Sequence, residues 1–125
     1  MFRKTTVLSL AVVFGVLSAG SSALAANEYA SVSANREYPK YTDAVNGQHQ
    51  YGRYTVTMTD GIGGILGTLQ EKCGSTWVDR DSVEVNTTSD STTDTDNYYM
   101  AGGCQYRVKL TVGASGGTAY IRNWN

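Results

Sequence analysis

The chain has 125 residues, 41% of them hydrophobic, with a formal net charge of −1, two cysteines and one histidine. That length suits one domain behind a short leader and is too small for two. The charge balance argues against a nucleic-acid partner, which calls for a stripe of Lys and Arg to neutralise phosphates.

Arg3 and Lys4 precede a run from 7 to 17 that is apolar except for Ser9 and Gly15, and Ala23-Leu24-Ala25 supplies small residues around a cleavage point. This layout predicts a secretory signal peptide over residues 1–26 and a single secreted domain over 27–125. The apolar core of about eleven residues is too short for the roughly twenty of a spanning helix. No second such run follows, so no membrane insertion is expected after cleavage. The short leader suits a bacterial source, and the sequon Asn86-Thr87-Thr88 is read as a chance match. Without Arg3 and Lys4, eight basic side chains face eleven acidic ones, a mildly acidic domain. Both phenylalanines, Phe2 and Phe14, fall in the leader, so every later aromatic is Tyr or Trp, rings with a polar handle that suit half-wet surfaces.

Residues 27–34 alternate loosely, with Ala30, Val32 and Ala34 on one side, and read as a first edge strand. Pro39 lacks a ladder donor, which places its neighbourhood at an edge or in a connection, and Asn46-Gly47 is a turn signal. Residues 51–59 form a clear strand: Tyr54, Val56 and Met58 share one face, Arg53, Thr55 and Thr57 the other. After glycine-rich turns at 60–64, residues 65–72 resume as a strand, and the two are expected to pair as a hairpin ending at Cys73. Short strands are predicted at 76–78 and 82–85. The Thr/Ser/Asp run from 86 to 97 has no apolar periodicity and reads as a loop. Residues 98–101 re-enter a sheet, and 105–112 are the strongest strand, with Tyr106, Val108, Leu110 and Val112 alternating against polar neighbours. A loop at 113–117 then leads into 118–124, read as a C-terminal hairpin. No segment shows convincing helical periodicity, so the fold class is all-β: an antiparallel β-sandwich of about seven short strands, immunoglobulin-like or jelly-roll-like, with a small barrel as the second choice.

Cys73 and Cys104 are the only cysteines, and export makes a disulfide between them reasonable. Such a bond ties the first half of the sandwich to its C-terminal hairpin.

Catalytic chemistry finds little support. His49 is the only candidate base for a nucleophile, no serine stands in an elbow context, and one His with two oxidised Cys cannot build a zinc site. The carboxylate pairs Asp79/Asp81 and Glu71/Glu84 could in principle form a glycosidase pair, but a domain of about a hundred residues has little room for a substrate cleft. A non-catalytic protein is expected. Calcium is the one metal considered: Asp90, Asp94, Asp96 and Asn97 offer hard oxygen ligands on a flexible run, though not at EF-hand spacing. For ligand binding, Trp77, Tyr98, Tyr99, Tyr120 and Trp124 are the rings that could stack on a sugar, with Arg122, Asp79, Arg80 and Asn97 as polar partners. Tyr98 and Tyr99 must point to opposite faces of any strand they share. The expectation is a secreted binding protein that recognises a glycan or cell-surface component outside the cell. The alternatives are an inhibitor or bacteriocin-like toxin that docks on a protein, and a structural extracellular matrix protein.

Overall fold

The computed structural model describes residues 26–36, 39–59, 63–86, 88, 91–113 and 116–125. The first 25 residues of the expected signal peptide, the Asp60-Gly61 turn, Thr87 of the sequon, Asp90 and part of the glycine-rich loop after 112 lie outside them. Among the described residues there are nine strands and no helix: β1 (Tyr29–Asn35), β2 (Lys40–Tyr41), β3 (Val45–Asn46), β4 (Gln50–Met58), β5 (Ile65–Lys72), β6 (Val78–Val85), β7 (Thr93–Met100), β8 (Gln105–Val112) and β9 (Gly116–Arg122).

They make two antiparallel sheets packed face to face, a β-sandwich. One sheet runs β1-β9-β4-β7; the other runs β2-β8-β5-β6, with β3 also paired to β8. Each long strand sends alternate side chains inward. Tyr54, Val56, Met100, Ala119 and Ile121 from the first sheet meet Ile65, Leu69, Val83, Val85, Tyr106, Val108, Leu110 and Val112 from the second. The layers touch closely at Gly67, where an added Cβ would lie 2.4 Å from the Val56 side chain, so β5 needs glycine at that position.

Several connections differ from the sequence expectation. The strands expected as a hairpin, β4 and β5, belong to opposite sheets. The same is true of β8 and β9 at the C-terminal end. The reason is shared: alternation tells a strand which face to bury but not what lies beside it. Facing one another across the core buries two apolar faces at once. The hairpin that does form between long strands is β5–β6. In place of the two short strands expected at 76–78 and 82–85 there is one strand, β6, which begins only at Val78, leaving Thr76 and Trp77 ahead of it, and carries a register shift that leaves Arg80 bulged out; the Arg80 guanidinium bonds Glu71 at 2.9 Å. The polar run expected as a loop is strand from Thr93 onward. Its period-two pattern is written in polar residues, with Thr93 and Thr95 outward and Asp94 and Asp96 inward, and β4 supplies the ladder partner. The first strand is an edge, as its weak alternation suggested.

The Cys73–Cys104 disulfide is present. It joins the ends of β5 and β8, one step beyond the Lys72↔Gln105 pair, so it staples neighbours within one sheet and does not link the two halves of the sandwich. Closing a 31-residue separation restricts the unfolded chain by about 3.7 kcal/mol in the chain-entropy picture. Replacing both cysteines by serine is expected to lower the melting temperature by more than about 8 °C in calorimetry. A shift under about 2 °C would show that the staple carries no stability.

Candidate functional site

The outward face of the four-stranded sheet collects most of the residues singled out for binding. Strand register sets its layout in rows. Tyr29, Arg122, Arg53 and Asn97 stand side by side across β1, β9, β4 and β7. Next come Ser31, Tyr120, Thr55 and Thr95, and then Ser33, Thr118, Thr57 and Thr93. On the other side of the arginine row, Tyr51 pairs with Tyr99 and Trp124 follows β9. The face is therefore aromatic and cationic at one end and a lattice of hydroxyls at the other. Thr55–Thr95, Thr57–Thr93 and Ser33–Thr118 hydroxyl pairs lie at 2.8, 3.2 and 3.1 Å.

The rings lean on one another. Tyr29 lies 6.1 Å from Tyr120 and edge-on to Trp124 at 6.5 Å, and Tyr51 meets Tyr99 edge-on at 5.7 Å. Such contacts orient aromatic side chains and add modest energy beyond burial. The Arg122 guanidinium lies over the Trp124 ring at 5.2 Å, and its Nε donates to the Trp124 carbonyl at 3.1 Å. Arg53 donates to the side-chain oxygens of Asn97 (3.0 Å) and Asn125 (2.8 Å). Tyr29, Tyr51 and Tyr99 keep 70, 55 and 46% of their surface exposed.

The predicted binding residues thus divide. Tyr99, Tyr120, Arg122 and Trp124 share this face. Tyr98 points to the opposite side of β7, half-buried, its ring 6.4 Å from that of Tyr106. Trp77 immediately precedes β6 and lies against the other sheet, where Arg107 is 4.2 Å from both the Trp77 and Tyr41 rings and Lys72 is 5.2 Å from Trp77. Arg107 Nε also donates to Gln70, whose amide donates to Asp79, so that stack leads on to a carboxylate within the protein. Tyr29, Tyr51 and Arg53 were not singled out from the sequence. The alternation of Arg53, Thr55 and Thr57 already placed three of the outward positions on one side.

The proposed calcium ligands do not gather. Asp94 and Asp96 are on the inward side of β7, opposite Val56 and Tyr54; Asn97 faces outward beside Arg53; Asp90 lies outside the described residues. Asp94 accepts hydrogen bonds from the Glu84 and Thr95 amides, and Asp96 from that of Asn97. Glu71, Cys73 and Cys104 do lie within 4.8 Å of one another, but the two sulfurs are spent in the disulfide. Glu71 instead accepts the Tyr106 hydroxyl at 2.5 Å, while that hydroxyl accepts the Ala101 amide; burial and then the carboxylate push the Tyr106 pKa well up. Across the core, the buried Tyr54 hydroxyl has no hydrogen bond of good geometry. Burial, then the nearby Asp81 carboxylate, holds it neutral far above the usual tyrosine range. His49 adopts a left-handed backbone (φ 58°), and its ring accepts the Gly102 amide at 3.3 Å. A shallow depression of about 490 Å³, lined by Ser33, Asn35, Thr59 and Thr118 among others, opens at the hydroxyl end of the face and holds none of the predicted residues.

What holds the aromatic end in place is a residue with no signal in the sequence pattern. Asn123 points inward between Arg122 and Trp124 and is fully buried. Its amide donates to the Ala26 and Asn46 carbonyls (3.0 and 2.7 Å) and accepts from the Glu28 amide (2.8 Å) and the Gln48 side chain (3.3 Å). Gln48, also buried, donates further to the Asn123 carbonyl and to Asn27. One side chain thereby ties the start of β1, β3 and the end of β9 together.

Comparison with protein-family models, with curated proteins and with solved structures returned no match.

Asn123→Ala would strand the Ala26 and Asn46 carbonyls and the Glu28 amide, while Gln48 keeps its bonds to Asn27 and to the main-chain carbonyl of residue 123. A loss of about 3 kcal/mol is expected from thermal or urea unfolding, together with loss of the near-ultraviolet signal of Trp124. A loss under about 1 kcal/mol would show that the hub is incidental.

Proposed function

We propose that this chain is a secreted, non-catalytic binding protein whose outward four-stranded face recognises a glycan or other cell-surface component. The observation that carries this reading is the placing of Tyr29, Tyr51, Tyr99, Tyr120 and Trp124 around two arginines on one strand-borne surface, outside the core. Large rings left in water need a reason, because the core is already filled by the inward residues of the same strands. Tyr and Trp offer flat apolar faces for sugar rings and a polar edge for hydroxyls. Their seats on paired strands restrict them before binding, which lowers the ordering cost of association. The Thr and Ser rows extend the same plane with donors and acceptors.

Secretion is supported by the N-terminal basic–apolar–small pattern and by the disulfide, which persists in oxidising compartments. A protein-docking inhibitor or toxin is the second reading, favoured by the concentration of Tyr, Trp and Arg, the side chains that dominate protein–protein hot spots.

A glycan array followed by titration calorimetry separates the two. Trp124→Ala and Tyr99→Ala should each weaken glycan binding by more than about tenfold, an effect of roughly 1.4 kcal/mol or more, while Trp77→Ala leaves it unchanged. Full binding by both face variants, or loss only in Trp77→Ala, would refute the assignment. An empty array with recovery of a single protein partner would favour the docking reading.

A further inference from the structure

We infer that the ligand of this face is an anionic polysaccharide, one bearing carboxylate or sulfate groups, and that Arg53 and Arg122 together grip its charge; the inference rests on the glycan reading above.

Arg53 and Arg122 are direct partners in the β4–β9 ladder. Like charges placed opposite one another on neighbouring strands disfavour the fold. Nothing in their row offsets them, because the flanking residues are Tyr29 and Asn97. Their protein partners are neutral: side-chain amide oxygens for Arg53, a backbone carbonyl and an indole ring for Arg122. Among the described residues the ion pair is Arg80–Glu71, on the other sheet. No outward position of the four-stranded sheet carries a carboxylate, although acidic side chains outnumber basic ones, 11 to 10, in the whole chain. The two aspartates of β7 that could have neutralised the pair face the other way, opposite Tyr54 and Val56.

The contrast with Arg107 sharpens the point. That guanidinium lies 4.2 Å from each of two rings and reaches the Asp79 carboxylate through Gln70, whereas the bonds of Arg53 and Arg122 lead to no acidic side chain. Arg53 and Arg122 are half-buried; Arg53 is bonded through Nε and one Nη, Arg122 through Nε alone. A guanidinium carries five N–H donors in a planar fork, and most of these remain unused by the described residues. The fork matches the two oxygens of a carboxylate or sulfate. A bound anion would offset the repulsion of the pair, and the neighbouring rings would seat the sugars on either side of the charged group. A neutral sugar would leave that repulsion in place.

The test is binding of the intact protein to dextran, carboxymethyl-dextran and dextran sulfate, by affinity electrophoresis and calorimetry at low and moderate salt. At least one charged polymer should bind more than about tenfold tighter than dextran, and its affinity should fall as salt rises beyond about 0.1 M. The better charged polymer tells carboxylate from sulfate. Arg53→Gln and Arg122→Gln should each cost at least about fivefold on the charged polymer while leaving the melting temperature equal or higher, since relief of the like-charge pair is a readout that a merely structural role would not give. Arg53→Lys should recover part of the affinity. Equal binding of dextran and its charged derivatives, lost in Trp124→Ala but kept in the arginine variants, would overturn the anionic assignment and leave the glycan reading standing. Absence of binding to both charged polymers, or binding that survives Arg53→Gln/Arg122→Gln together, would overturn it as well.

Discussion

The aromatic end of the four-stranded sheet depends on the buried Asn123 amide and the four hydrogen bonds that fill it. Burying a polar side chain costs free energy unless its donors and acceptors are met, and here they are met by groups from residues 26–28, β3 and Gln48. Because Asn123 points inward, its neighbours Arg122 and Trp124 must point outward. The hub therefore fixes both the closure of the sandwich at this end and the aim of two side chains in the proposed site. A leucine of similar size would fill the space and leave the Ala26 and Asn46 carbonyls without partners.

The same alternation that builds the core turns the remaining side chains of each sheet outward, and the two outer faces of the sandwich are furnished differently. On the five-stranded sheet, Arg107 is sandwiched between Tyr41 and Trp77 and its polar bonds run on to Asp79. On the four-stranded sheet the rings meet each other edge-on and the arginines stand paired, without a carboxylate. The free edges also differ in treatment. Asp94 and Asp96 turn inward on β7, at the rim between the sheets, and inward-pointing charge on an edge strand discourages pairing with a second chain. That rim is where Tyr54 keeps its unbonded hydroxyl, with Asp81 reaching toward it from β6.

Much of the strand content was legible in the sequence because it rests on period two, which residues 51–58 and 105–112 display without fault. The disulfide was legible from the cysteine count and its flanks. Partnership was not: the inward sets Tyr54/Val56 and Ile65/Leu69 look alike whether their strands lie side by side or face to face, and the structure puts them face to face. Thr93 to Asn97 was hidden because its alternation is between two kinds of polar residue, invisible to any reading that seeks apolar positions. Of the site, Tyr99, Tyr120, Arg122 and Trp124 could be chosen by residue type, but the separation of Trp77 and Tyr98 from them is set by sheet membership and strand parity. Asn123 carried no signal at all, since an asparagine near a chain end reads as solvent-exposed and its burial follows only from the way three distant segments converge.

The central claim is that the outward four-stranded face, held by Asn123, is where this protein meets its ligand. Backbone amide chemical shifts, followed as a charged dextran oligosaccharide is added to the isotope-labelled protein, test it most directly. The account predicts shifts concentrated at Tyr29, Tyr51, Arg53, Tyr99, Tyr120, Arg122 and Trp124, with Tyr41, Trp77 and Arg107 undisturbed. Shifts centred on Tyr41, Trp77 and Arg107, with the four-stranded face silent, would contradict it.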